Sequence, residues 1–251
     1  MLHFAVSPIP CLSDNYAYVI VGPDHDAWVV DPSEAEPVLA TLDRRALRLR
    51  GILATHHHPD HVDGIPALIA RATRAGGEVP WVAAHVHDVD RISGLTVPIS
   101  APVDAYVETQ LRIAGEAVFA RWIPGHTLGA VAWRISDGVH EHVFTGDTLF
   151  AGGCGRLFEG STSQMHTSLQ ALTELSPETR LWFGHEYTAQ NLRFAQTIEL
   201  ENTAVADRLA TLPTCTTPTT VAEEKATNPF VRARDATHLG ELRRAKDDFR
   251  G

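Results

Sequence analysis

At 251 residues the chain can bury one large core or two modest ones, and 44% hydrophobic with 21% charged residues is ordinary globular composition. A formal charge of −10 excludes a general nucleic-acid binder, which needs a basic face. No uncharged apolar run nears the ~18 residues of a membrane span, and MLHFAVSPIPCLSDNY lacks the basic start and cleavage site of a signal peptide.

In chain order, NYAYVIVG and AWVVDP flank the turn PDHD and predict a hairpin. EAEPVLATLDRR reads as a helix and LRGILAT as a buried strand. GIPALIARATRAG reads as a helix starting near Val62 and closed by Gly76 and Gly77. WVAAH, YVETQLRIAG, AVFARWIPG, AVAWRIS and EHVFTGD follow as strands, then SQMHTSLQALTEL as a helix and RLWFGH as a last strand. Beyond His185 the pattern turns helical. TAQNLRFAQTIELENTAVADRLATL has the spacing of one long helix, PTCTTPTTVAEE reads as a Pro/Thr-rich loop, and HLGELRRAKDDF as a final helix. Strands mixed with helices on this scale predict an α/β fold with a sheet core covered by helices. The three cysteines, Cys11, Cys154 and Cys215, are far apart and form no CxxC pair. They read as small buried or loop residues in a reducing cytoplasm.

The stretch THHHPDHVDG, residues 55 to 64, puts four histidines and two aspartates into ten positions. In extended chain, residues two apart point the same way, so His56 and His58 can share one metal. Asp60 and His61 follow where the chain turns into the helix and face a neighbouring position. Three more metal-capable residues each follow an apolar strand and a glycine: His126 in IPGHTLGA, Asp147 in FTGDTLF and His185 in FGHEY. Singly, each would be read as a turn residue. Seven such residues at the ends of core strands point instead to a metal centre. Imidazole and carboxylate without thiolate suit zinc, iron or manganese, and such a set leaves positions open for water.

His56-x-His58-x-Asp60-His61, followed by His126, Asp147 and His185, resembles the signature of the metallo-β-lactamase superfamily. PCLSDNYAYVI, VDPSEAEPVL, TGDTLFAGGCGR, GHEYTAQNLRFA and TNPFVR resemble stretches of its glyoxalase II family, the hydroxyacylglutathione hydrolases. The resemblance runs from near Ile9 to Phe249. It implies an αββα sandwich over residues 1–176 and a mostly helical, substrate-binding domain over 177–251 that contributes His185. It implies two divalent ions per chain, zinc first, with iron or manganese as alternatives. His56, His58 and His126 would hold one ion, Asp60, His61 and His185 the other, and Asp147 would bridge them. The implied reaction is hydrolysis of S-(2-hydroxyacyl)glutathione, such as S-lactoylglutathione, the second step of methylglyoxal detoxification. Two cations sharing a water can lower its pKa from about 15.7 toward 7, which supplies a hydroxide, held with Asp60 and Asp147 at the catalytic centre. No GxSxG elbow offers a protein nucleophile.

The last 21 residues, 231–251, carry six basic and four acidic residues, a net of +2 in a chain of −10. The resemblance places Arg156, Tyr187, Arg243 and Lys246 against glutathione. Arg156 stands where many relatives have Lys, and Phe158 where some have a Tyr that hydrogen-bonds glutathione. The Phe158 ring is expected too far along the substrate to touch the reacting carbonyl. Asp63 stands where Gly is usual and reads as an N-terminal helix residue rather than a partner of a ligand histidine. His25, His57, His85 and His87 match no feature of the family and are expected to be exposed. A cytoplasmic monomer acting on a small glutathione thioester, without nucleic acid or membrane, is the expectation. Alternatives are another hydrolase of this fold, such as a lactonase or a thioesterase for a different thiol carrier, or a persulfide dioxygenase.

Overall fold

The computed structural model describes residues 3–74, 76 and 78–251. The first half of the chain forms β1 (Ala5–Cys11), β2 (Asn15–Val21), β3 (Asp26–Val30), α1 (Ala35–Arg44), β4 (Arg48–Leu53), α2 (Pro59–Val62), α3 (Ile65–Arg74), β5 (Trp81–His85) and β6 (Val97–Ile99). These six strands pair in sequence order, antiparallel from β1 to β3 and parallel from β3 to β6. The second sheet comes from β7 (Val107–Ile113), β8 (Glu116–Trp122), β9 (Val131–Ser136), β10 (Glu141–Gly146), β13 (Arg180–Phe183) and β14 (Thr219–Thr220). Its order is β14-β13-β10-β9-β8-β7, with only β10 and β13 parallel. A small hairpin, β11 (Leu149–Phe150) and β12 (Gly153–Cys154), follows β10. The remaining helices are α4 (Thr162–Thr173), α5 (Thr188–Ile198), α6 (Thr203–Ala210), α7 (Val221–Thr227) and α8 (Ala236–Asp248).

The sheets pack face to face. Tyr18, Ile20, Val30 and Leu53 from one meet Val118, Trp133 and Phe144 from the other. The outer face of the first sheet packs on α1 and α3 through Val38, Leu42, Ile65 and Leu68. The outer face of the second packs on α4 and the C-terminal helices through Met165, Leu169, Phe194 and Leu242. This is the αββα sandwich. Strands buried on both faces explain why VIV and WVV read as unbroken apolar runs. The Trp133 indole spans the layers and donates to Ala54 O at 3.0 Å.

Several expectations need correction. The first strand, β1, falls in AVSPIPC, ahead of the first strand expected from the sequence. It is an edge strand that pairs only with β2, where a missing N–H is tolerated. The long helix is two, α5 and α6. Asn202 precedes α6, donates to Glu199 Oε2 at 2.9 Å and to Ala226 O at 3.0 Å, and the intervening Leu200 is 83% exposed. The end of the Pro/Thr-rich loop is β14 and α7, because Thr220 and Glu223 form a reciprocal capping box. The helix placed at Val62 is the single turn α2 followed by α3. Arg74 ends α3, Gly76 has φ +69°, and Gly77 lies outside the described residues. Among the described residues no helix is long and apolar enough to cross a membrane.

Candidate metal centre

Strand ends deliver the seven predicted residues to one edge of the sandwich. Residues 54–58 leave β4, and His58 caps α2 with Pro59 as its first residue. One helical turn then carries Asp60 and His61 inward. The loop after β8 brings His126, the end of β10 brings Asp147 and the end of β13 brings His185.

The side chains form two groups. The Nδ1 of His58 lies 3.1 Å from His56 Nε2 and 3.0 Å from His126 Nε2. In the second group, His185 Nε2 lies 3.3 Å and His61 Nε2 3.9 Å from Asp60 Oδ2. Asp147 stands between the groups. Its Oδ1 is 3.2 Å from His61 Nε2, and its Oδ2 is 3.2 Å from His185 Nε2 and 3.5 Å from His126 Nε2. Gly184 permits this closeness, since a Cβ there would stand 2.2 Å from Asp147 Oδ1 and 2.6 Å from the His61 ring.

The outward-facing ring atoms fix the tautomers. His126 Nδ1 donates to Arg156 O at 2.8 Å, His185 Nδ1 to Asp14 Oδ1 at 2.9 Å and His61 Nδ1 to Asp31 Oδ2 at 3.0 Å. Each of these leaves Nε2 aimed inward. Asp31 also accepts from Thr55 N at 2.7 Å and Thr55 Oγ1 at 2.6 Å, and Asn15 Nδ2 donates to Asp60 Oδ2 at 3.1 Å. The reading of the sequence missed Asp14, Asn15, Asp31 and Thr55 as orienting groups. The signal of the first three lay in PCLSDNY and VDPSE, stretches singled out only as family-like, while Thr55 opens THHHPDHVDG itself. Asp63 is exposed and ends α2, so it orients no ligand.

Burial, with His61 nearby, keeps His56 well below its usual pKa. Burial and the His126 ring pull His58 down to about 4, and burial lowers His126. These imidazoles are neutral and have lone pairs to give. In the second group burial is outweighed. Asp147 and Asp60 lift His185 to about 10, and Asp147 with Asp31 lifts His61 well above its ordinary value. Asp147 itself is held well below the carboxylate range, since His61 and His185 outweigh its burial. His61 Nε2 and Asp147 Oδ1 are buried without hydrogen-bond partners. The first group offers converging lone pairs, and in the second a divalent cation would take the place of the protons on His61 and His185. With orphaned inward-facing atoms and an all-nitrogen-and-oxygen donor set, each group fits a divalent cation.

Residues 13–185 match the model of the metallo-beta-lactamase superfamily, and residues 186–249 match that of the hydroxyacylglutathione hydrolase C-terminus. A hydroxyacylglutathione hydrolase of a Synechococcus species is 40% identical, with 96% of this chain and 98% of that one covered. This chain belongs to the hydroxyacylglutathione hydrolase family. Among solved structures, ETHE1 from Myxococcus xanthus matches at 26% identity and a TM-score of 0.69, covering 96% of this chain and 89% of that one. A protein solved in a di-iron-bound form matches at 26% identity and a TM-score of 0.60, covering 89% and 99%. The superfamily fold with these His/Asp groups implies divalent metal ions.

A cavity of about 530 Å³ opens beside the donor groups in this member of the hydroxyacylglutathione hydrolase family. His58, Asp60, His126, Asp147 and His185 line it together with Arg156, Arg243, Lys246, Asp247 and Arg250. The Tyr187 ring stacks on His185 at 4.9 Å with 5° between planes. Arg156 is exposed, with Nε 3.4 Å from Asp247 Oδ1. Arg243 is only 8% exposed, donates from Nη1 to Cys154 O at 2.8 Å and lies over the Phe230 ring. Burial and the Arg243 cation pull the buried Lys246 ammonium down to about 8. Phe158 corrects its expected place. Its ring meets His58 edge-on at 5.5 Å and His126 at 5.3 Å, so it stands beside the donor groups, while 62% exposed. His85 and His57 are also not exposed as expected. His85 is buried and stacks on Trp122, and His57 is half-buried, whereas His25 and His87 are exposed.

Proposed function

We propose that the protein hydrolyses S-(2-hydroxyacyl)glutathione thioesters, with S-lactoylglutathione as the type substrate. Water adds to the thioester carbonyl, the C–S bond breaks, and the 2-hydroxy acid and glutathione leave. The observation that carries this reading is the position of Asp147. Its Oδ1 faces His61 of one group, and its Oδ2 faces both His185 of that group and His126 of the other, in a cavity also lined by Arg156, Arg243, Lys246 and Arg250.

In this reading His56, His58 and His126 hold one divalent ion, Asp60, His61 and His185 hold a second, and Asp147 spans both. Zinc fits the donors first, with iron or manganese as alternatives. The ions supply Lewis acidity and a hydroxide at neutral pH. The chain's own residues bind and orient. Asp14, Asp31 and Thr55 hold the imidazoles in one tautomer. Asp60 is anchored by Asn15 and stays ionised, because the His185 hydrogen bond lowers its pKa. Arg156, Lys246 and Tyr187, with Arg243 behind them, present cations and a hydroxyl to the peptide portion of glutathione. Phe158 closes the inner end of the cavity. Residues 1–176 then form the catalytic part. Residues 177–251 form the substrate-binding part and lend His185 to the catalytic centre. Three free cysteines fit a reducing cytoplasm.

The test is hydrolysis of S-lactoylglutathione by protein stripped of metal and then reloaded with zinc, iron or manganese. Turnover by reloaded protein under anaerobic conditions supports a hydrolase. Activity that requires oxygen and a persulfide substrate would replace this reading with a dioxygenase.

A further inference from the structure

His57 lies between two candidate ligands, but its ring belongs to neither donor group. Its Nδ1 is 3.0 Å from Asp88 Oδ1, and its Nε2 is 3.6 Å from Glu159 Oε1. Asp88 is wholly buried, and its Oδ2 has no hydrogen-bond partner. A carboxylate buried with so few partners costs stability, so one whose clearest partner is a histidine is an expensive way to fill space. The backbone closes tightly over it. A Cβ on Gly129 would stand 2.2 Å from the Asp88 carboxylate, so only glycine lets the loop after His126 pass there.

Glu159 continues the connection. Its Oε2 accepts from Leu128 N at 2.8 Å, and its own N–H donates to His126 O at 3.3 Å. Asp88, His57 and Glu159, with Arg91 Nη1 reaching both His57 Nδ1 at 3.3 Å and Glu159 Oε1 at 2.5 Å, thus link the loop that carries His56 and His58 to the loop that carries His126. These loops leave different sheets, β4 in one and β8 in the other. Among the described residues, the three imidazoles that must converge on one point come from both.

We propose that His57 is a positioning residue that holds these two loops at the separation the ion of the His56, His58 and His126 group requires. The proposal rests on the two-ion reading above. His57 acts through the backbone of its neighbours and touches neither ion nor substrate.

The experiment is chelator competition on zinc-loaded protein, which resolves a dissociation constant for each bound ion. His126→Ala marks which constant belongs to the first group. His57→Ala is expected to weaken that ion by about tenfold to a hundredfold, the usual cost of losing a group that orients ligands, and to leave the other within about threefold. His57→Asn, which keeps a side-chain N–H near the Nδ1 position, is expected to recover most of the loss. Glu159→Ala cuts the same connection at its more exposed end and should weaken the same ion. It carries the test if His57→Ala does not fold. Two ions held as tightly as in the parent, or both weakened equally, overturn the proposal alone. A parent that takes up fewer than two ions overturns the two-ion reading and this proposal with it.

Discussion

Asp247 Oδ1 accepts from Arg243 Nη2 at 3.0 Å, one turn back along the same helix, and faces Arg156 Nε at 3.4 Å. One carboxylate therefore occupies two cations that the family resemblance assigns to glutathione. An anionic substrate must share them. Asp247→Asn keeps the side chain's shape and removes the charge. A partly exposed ion pair is worth ~0.2–1 kcal/mol, so KM for S-lactoylglutathione should fall by about 1.5- to fivefold, with kcat unchanged. The gain should shrink at high salt. A rise in KM would mean that Asp247 serves mainly to aim Arg243.

Arg243 is more deeply held than a tail residue in RRAK suggested. Its Nη1 satisfies Cys154 O, so Arg243→Ala leaves a buried carbonyl unpaired. That loss is worth ~1–3 kcal/mol of stability. The variant should therefore show a lower melting temperature together with a higher KM. A higher KM at unchanged stability would place the guanidinium on the substrate alone.

Lys246 gives the substrate site a pH limit. Its ammonium, pulled down to about 8 by burial and Arg243, is charged below that pH and neutral above it. Attraction for a carboxylate is thus present on the acid side and fades as pH rises through about 8. The profile of kcat/KM, which reports the free enzyme, should fall on that limb. Lys246→Arg keeps its charge across the range, so this limb should vanish in the variant. A limb that persists belongs to another group.

Asp147 is expected to be the least replaceable side chain. Asp147→Ala removes what is, among the described residues, the only carboxylate that reaches His61, His126 and His185 together. Bound metal per chain, read by elemental analysis, should fall along with turnover. Near-normal turnover with two ions per chain would rule out a bridging role.

The seven candidate ligands were legible because four of them crowd into THHHPDH after one strand, and His126, Asp147 and His185 each follow an apolar strand and a glycine. The groups that orient them were not. Asp14 stands in a turn, Asp31 just after β3 and Asp88 at the end of a single 3-10 turn, all places where aspartate is common for local reasons. Only the folded chain brings Asp14 to His185, 171 positions away. The helix break at Glu199 was hidden because Leu200 fits the apolar spacing yet points to water. Thr220 and Glu223, by contrast, carried a readable cap signature inside a segment that its prolines and threonines marked as loop.

Phe158 is where the sequence and the fold disagree most usefully. Its place in GRLF suggested a contact to glutathione remote from the reacting carbon, yet its ring lies against His58 and His126. In the proposed reading, an exposed ring there walls the space for the acyl group. Phe158→Tyr adds at most one neutral hydrogen bond, ~0.5–1.5 kcal/mol, so kcat/KM should change by no more than about tenfold. Because the ring stands at the reacting end, part of that change should appear in kcat rather than in KM alone. Phe158→Ala is the sharper test. Removing the ring opens the acyl side, and a misfit of one methylene in an apolar pocket is worth ~1–3 kcal/mol. The ratio of kcat/KM for a 2-hydroxy-2-phenylacetyl thioester over the lactoyl thioester should therefore rise about tenfold or more in the variant. An unchanged ratio would mean that the ring faces the thiol carrier, and the acyl wall would have to be sought on the side of Phe150 and Tyr187, which also line the cavity.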